Sequence, residues 1–171
     1  MIAWPNSLVD DIARRKCVIF LGAGISKNSQ NDSGERPKGW KEFLQTGVEL
    51  APIPHVKKKC ITNSIKNNDY LLACELLKRA MGRDEFVEFL KREFQTPKFK
   101  PSEVHTDIFM LDSRIVITPN FDKIYDSYAS SASTGTVNVK YYTDSDIADY
   151  IRKNERIILK IHGCISSPNQ L

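Results

Sequence analysis

Val18-Ile19-Phe20-Leu21-Gly22-Ala23-Gly24-Ile25-Ser26 is the stretch that decides how this chain reads. Four apolar residues, two of them β-branched, run into a glycine turn that opens onto a polar segment. In an α/β protein such a junction ends a buried strand and places backbone N–H groups and a helix N-terminus where a phosphate binds. Glycine is expected there because a Cβ obstructs both a positive-φ turn and the close approach of a pyrophosphate. The third glycine of a dinucleotide fingerprint is missing, with Ser26 standing one position early. A plain tight strand-to-helix turn is the alternative reading of Gly22 and Gly24.

Working outward, helical and strand patterns alternate. Asn6 or Ser7 is placed to cap a short helix carrying Leu8, Val9, Ile12 and Ala13, with Arg14-Arg15-Lys16 at its end. Residues 27–39 are polar and read as a loop. Helical spacing resumes at Trp40, Phe43, Leu44, Val48 and Leu50 and breaks at Pro52 and Pro54. Two clear helices follow. One runs from about Asp69 to Met81 with Leu72, Leu76, Leu77 and Ala80 as its apolar face; the other starts at Asp84 and carries Phe86, Val87, Phe89, Leu90 and Phe94.

The second half returns to strands. Ile115-Val116-Ile117-Thr118 ends at Pro119, which holds the preceding residue extended. A helix over about 121–130, an alternating stretch at Val137, Val139 and Tyr141, a helix over about 144–153 and the strand Ile157–Ile161 complete the pattern. Continuous apolar strands separated by helices predict a Rossmann-like α/β fold: a parallel sheet with helices on both faces. The block over about 40–111 is nearly all helical and reads as a helical module inserted after the first strand of a single domain spanning 1–171.

Composition narrows the function classes. The 171 residues are 41% hydrophobic, enough for a core, and no apolar run reaches the ~18 residues of a membrane span. The first 16 residues lack a secretory pattern, and Cys17, Cys60, Cys74 and Cys164 are scattered without a CxxC pair. Neither a disulfide framework nor a zinc site can be read from them, and a reducing, cytoplasmic compartment is expected. The net charge of +4 and the single run Lys57-Lys58-Lys59 describe a solvated face, so direct nucleic-acid binding is not expected.

Three strand ends carry the candidate chemistry: Gly22-Ala23-Gly24-Ile25-Ser26, Thr118-Pro119-Asn120-Phe121-Asp122, and His162-Gly163. In an open parallel sheet the ligand crevice lies outside the carboxyl ends of the strands, so all three would face one crevice. Each has a plainer reading. Asn120 and Asp122 suit the N-cap and first turn of the next helix, and His162 suits a turn. His55 reads as a surface residue, His105 as part of a helix start, and Trp40 as core.

Taken together and in this order, GAGIS, TPNFD and KIHG resemble the sirtuin superfamily. The Pro37-x-x-Trp40 stretch and the helical insert are similar to its bacterial sirtuin-like branch, found in anti-phage defence proteins that hydrolyse NAD. The resemblance implies that Gly22, Ala23, Gly24 and Ser26 line the NAD phosphates and adjoining ribose. It implies that Asn120 and His162 are the pair essential for chemistry at the nicotinamide ribose, and that Asp122 contacts the nicotinamide carboxamide. NAD is then a substrate, and no metal is implied. The chemistry is coherent on its own terms. Nicotinamide leaves as a neutral base, so the site must stabilise an oxocarbenium-like centre and position a nucleophile, as glycosidases do. Histidine is the side chain suited to accept a proton from water or a ribose hydroxyl at neutral pH.

The departures favour hydrolysis over deacylation. Sirtuin deacylases follow their glycine motif with Gly-Ile-Pro-Asp-Phe-Arg, where this chain has Lys27-Asn28-Ser29-Gln30-Asn31-Asp32. They also carry a ribbon of two cysteine pairs for zinc after the His-Gly, where this chain shows only Cys164. An NAD-dependent protein deacylase or ADP-ribosyltransferase is the alternative, and a non-catalytic nucleotide-sensing or assembly module is the second. The resemblance further implies a defence effector that depletes NAD on activation, working as a homo-oligomer, with a second protein, or with a C-terminal sensor domain. Because the sequence stops at Ser166–Leu171, inside the loop after His162, it is expected to be the N-terminal portion of a longer domain.

Overall fold

The computed structural model describes residues 3–165; the loop expected at Ser166–Leu171 lies outside the described residues. Three short apolar runs and one mixed run become strands: β1 (Val18–Phe20), β2 (Ile115–Thr118), β3 (Asn138–Tyr141) and β4 (Ile157–Lys160). All pair in parallel, in the order β1-β2-β4-β3. This is the Rossmann-like α/β architecture that the alternating pattern predicts. No helix of the described residues is long and apolar enough to cross a membrane.

Register assigns the two faces of the sheet. Ile19, Val116, Ile158 and Val139 share one row, and Phe20, Ile117, Leu159 and Lys140 the next. Side chains alternate across a strand, so these rows face opposite ways. Helix α8 (Ile124–Ala132) covers the first face, burying Tyr125 and Ala129 against Val116, Ile158 and Leu21. Helix α9 (Ile147–Arg152) sits on the other, where Lys140 Nζ lies 4.0 Å from the Tyr150 ring centre and 2.7 Å from Asp146. Helices therefore stand on both faces.

Between β1 and β2 come α2 (Ala23–Ser26), α3 (Trp40–Leu50), α4 (His55–Lys66), α5 (Tyr70–Met81), α6 (Arg83–Phe94) and α7 (Glu103–Met110). Local chemistry sets their limits. The Asp69 carboxylate caps α5 by accepting the Leu72 N–H, and Gly82 at φ +84° ends that helix and starts α6. Asp84 and Glu85 in the first turn of α6, and Lys91 and Arg92 in its last, follow the helix dipole. The core of this region is aromatic: Phe43 stacks on Phe89 at 4.8 Å, beside Leu44, Leu77, Phe86 and Leu90. Phe121, Cys164 and Ile165, from beyond the ends of β2 and β4, pack into the same cluster. Helix α7 instead joins the sheet-side cluster through Ile108 and Phe109.

Several local expectations are corrected. Neither Asn6 nor Ser7 caps α1 (Asn6–Ala13); Pro5 occupies that position, and its carbonyl already accepts the Leu8 and Val9 N–H groups. On α5 the buried residues are Ala73, Cys74 and Leu77, because the helix is wedged among α3, α4 and α6; Leu72 faces solvent. Helix α8 begins at Ile124 rather than near Phe121, and α9 at Ile147 rather than near Asp144. The Asp144 carboxylate is engaged with the Tyr141 N–H, closing the turn before α9.

Candidate functional site

Because β1, β2 and β4 are successive neighbours, the three motifs emerge side by side. Thr118 Oγ1 donates to the Leu21 carbonyl at 2.8 Å and accepts the Asn120 N–H at 3.1 Å, stitching the ends of β1 and β2 together. The Asn120 amide nitrogen then donates to the Gly22 carbonyl at 3.1 Å and to Ser26 Oγ at 3.2 Å. Gly22 O can only accept, which fixes the amide orientation. Ser26 Oγ donates in turn to Asp122 Oδ2 at 2.8 Å, and Asp122 Oδ1 accepts the Ile124 N–H at 3.0 Å, an Asx turn that leads into α8. Ser26, Asn120 and Asp122 are all buried. The structure thus brings residues of the first two motifs into one bonded cluster. Neither Asn120 nor Asp122 takes the N-cap or first-turn place; Lys123 is at the N-cap of α8 and Asp126 is the acid of its first turn.

One atom in that cluster is left over. Asn120 is 7% exposed, and its Oδ1 is buried with no hydrogen-bond partner among the described residues. A buried carbonyl oxygen without a donor costs about 1–3 kcal/mol. Asn120, Ser26, Asp122 and Ala23 line a small cavity with Trp40, Phe121 and Lys38. Its volume is about 20 Å³, room for one water.

The glycine turn differs from expectation. Gly22 lies at φ −84°, in extended conformation, and Gly24 is inside the single turn of α2; neither has positive φ. A Cβ built on either would meet nothing within 4 Å. Neither backbone strain nor crowding within the chain calls for glycine there; what glycine leaves is open space at the end of β1. Ala23 is half-buried and follows Gly22 at the rim of the cavity.

His162 stands apart. It is half-buried, has no hydrogen-bond partner among the described residues, and lines a separate cavity of about 390 Å³ with Leu71, Cys74, Phe86 and Tyr142. Trp40 and Phe121 form part of the wall of both cavities, packed edge-to-face at 5.4 Å. Asn120 and His162 therefore line two different cavities that have Trp40 and Phe121 in common.

Side chains that sequence reasoning passed over complete the walls. Lys38 lines the smaller cavity, with its ammonium 2.7 Å from Glu93 and 3.0 Å from Thr46 Oγ1. The Glu42 carboxylate accepts the Gly39 N–H at 2.8 Å and pairs with Lys27 at 3.0 Å, which pins the chain just before Trp40. The Gly39 amide first, and Lys27 second, hold the Glu42 carboxyl below its ordinary value. Glu42, three residues after Gly39 and before an apolar helical run, supplies the acidic half of a capping box; Gly39 has no side chain for the other half.

Buried groups surround the cluster. His105 is fully buried at the start of α7; its Nδ1 accepts the Ser102 N–H at 3.1 Å, and its Nε2 faces Ser29 Oγ at 3.5 Å. Burial pushes its imidazole below the ordinary histidine value, against the pull of the Asp122 charge. The Cys74 thiol, also buried, is pushed up to about 12. No cluster of metal-ligating residues occurs among the described residues. No family model matches the chain, and no curated protein matches it.

Proposed function

We propose that the carboxyl end of this sheet is a site that hydrolyses NAD at the nicotinamide–ribose bond, releasing nicotinamide and ADP-ribose. The observation that carries the reading is the buried, donorless Asn120 Oδ1 beside a cavity at the meeting of two strand ends. A ribose hydroxyl is a donor of the right size for that oxygen. It would relieve the unpaired carbonyl without bringing charge into the site.

In this reading water oxygen bonds to C1′ of the ribose as the C1′–N bond breaks. The bonding electron pair passes to the pyridinium nitrogen, so nicotinamide leaves neutral and no acid is needed. His162, with its ring free of partners among the described residues, takes the proton of the attacking water. Asn120 orients the ribose. The Asp122 carboxylate, held by Ser26 and the Ile124 N–H, meets the nicotinamide carboxamide. Gly22, Ala23, Gly24 and Ser26 leave the space through which the phosphates and the adjoining ribose approach. The resemblance of GAGIS, TPNFD and KIHG to sirtuin motifs supports the same roles. It also supports action as a defence effector that depletes NAD once a partner or an infection signal assembles it.

The test is incubation of the assembled full-length protein with NAD. Free nicotinamide and ADP-ribose without any acceptor are expected. Intact NAD overturns the reading. Turnover only with an acylated peptide or a protein acceptor replaces it with deacylation or ADP-ribosyl transfer. Saturable binding without turnover replaces it with a nucleotide-sensing module.

A further inference from the structure

Lys160, the last residue of β4, has no solvent exposure. An ammonium in that position carries a large desolvation cost unless it is paired and fully bonded. Its partners are specific. Nζ donates to the main-chain carbonyl of Asp122 and lies 3.4 Å from the Asp126 carboxylate, itself 3% exposed. Burial works against the ammonium, but the negative groups around it, Asp126 foremost, hold it above the ordinary lysine value.

The geometry gives this buried cation a place in the site. The segment from Asn120 to Asp122 is gripped from the β1 side through Gly22 and Ser26, as described above. From the β4 side, Lys160 Nζ donates to its main chain at the Asp122 carbonyl. His162 follows Lys160 by two residues, just beyond the end of β4. Main-chain bonds from Ile161 N to Thr118 O and from Ile165 N to Phe121 O run alongside. An apolar side chain of similar length would fill the same volume without the desolvation cost. It would not hold the Asp122 carbonyl.

Resting on the NAD-cleavage reading above, we propose that Lys160 is a positioning residue: its grip on the Asp122 carbonyl sets Asn120 and His162 at a fixed separation. Asp126 is the counter-charge that allows the ammonium to be buried there. The substrate does not touch Lys160. Its effect is on alignment, and alignment errors of about 1 Å suffice to lower turnover roughly a hundredfold.

The test removes the charges as a pair, with Lys160→Met/Asp126→Leu in the full-length protein, because removing one alone strands the other. Melting temperature, amide hydrogen exchange over residues 119–126, and kcat and KM for NAD are measured. The expected result is a melting temperature at or above wild type, exchange in that segment faster by at least about tenfold, and kcat lower by about a hundredfold with KM little changed. A folded double variant with wild-type exchange, or with faster exchange and wild-type kcat, overturns the proposal. The exchange measurement needs no NAD. If the wild-type protein leaves NAD intact, the functional reading fails while the grip of Lys160 is still decided. Should the double variant not fold, Lys160→Gln/Asp126→Asn removes both charges while keeping polar groups of similar size in place. Faster exchange over residues 119–126 and a kcat lower by at least about tenfold are expected, and wild-type exchange or wild-type kcat in that variant overturns the role of Lys160.

Discussion

The ends of β2 and β4 lie side by side, yet their polar side chains are held in opposite ways. After β2, Asn120 and Asp122 are buried and tied to Gly22, Ser26 and Ile124 before any ligand arrives. After β4, His162 is half-buried and has no hydrogen-bond partner among the described residues. The difference matches two kinds of chemical work. Dipoles that stabilise developing charge act best when already fixed, because nothing has to reorganise during the reaction. A proton acceptor needs a free ring nitrogen that reaches the substrate. The β2 end resembles the first kind of group, and the β4 end the second.

Activity gives the largest expected effects. His162→Ala should lower kcat for NAD cleavage by about 10²–10⁴-fold, the range for losing a general base. Asn120→Ala should lower it by about 10²–10³-fold, the range for losing one fixed polar group at a reaction centre. Both are read by chromatographic quantitation of ADP-ribose. Wild-type turnover in either variant removes that residue from the mechanism.

Stability should separate the same two strand ends in the other direction. Asp122→Ala leaves Ser26 Oγ and the Ile124 N–H without their acceptor and should cost about 1–3 kcal/mol in denaturant unfolding. His162→Ala removes no recorded bond and should stay within about 0.5 kcal/mol of wild type. Equal losses in the two variants break the contrast between a bonded and a free strand end.

Much of this arrangement was legible in the sequence, for identifiable reasons. Ile115–Thr118 read as a strand because four apolar or β-branched residues end at a proline, and β2 has those bounds. The convergence of the strand ends followed from an all-parallel sheet. Other features depended on side-chain reach, which period and propensity do not encode. Helix α4 was hidden because Lys57-Lys58-Lys59 and flanking prolines mask a narrow buried stripe at Ile61 and Ile65. The late start of α8 goes with an Asx turn in which the Asp122 carboxylate accepts the Ile124 N–H. Trp40 reads as core in the sequence; its place in the wall of two cavities, one lined by Asn120 and the other by His162, appears only in three dimensions. The glycine turn was read for positive φ and instead supplies vacant space.

A second contrast, between two histidines, sharpens the first at a smaller scale. His105 is sealed and bonded, and its imidazole sits below the ordinary value because burial disfavours the charged form. Between its folded and unfolded values the unfolded chain binds the extra proton. This contribution to stability is therefore complete above the unfolded value of about 6.5 and is lost as pH falls through the folded one. Denaturant midpoints measured from pH 7.5 down to 5 should decline in wild type and in His162→Ala, and decline less in His105→Gln. A slope unchanged in His105→Gln would assign the acid sensitivity elsewhere.

The smallest effect concerns the aromatic wall common to the two strand-end cavities. Trp40 and Phe121, packed edge-to-face, line both the cavity of Asn120 and that of His162, so a ribose that meets both residues is expected to lie against Trp40. The chain has two tryptophans, so Trp4→Phe leaves Trp40 as the sole indole reporter. In a Trp4→Phe/Asn120→Ala background, where turnover is suppressed, NAD should quench Trp40 emission in a saturable way. Binding seen by calorimetry without any change in that emission means that NAD binds away from the wall that the two cavities have in common. A single ribose then does not bridge Asn120 and His162, and their contrast has to be explained by two separate sites.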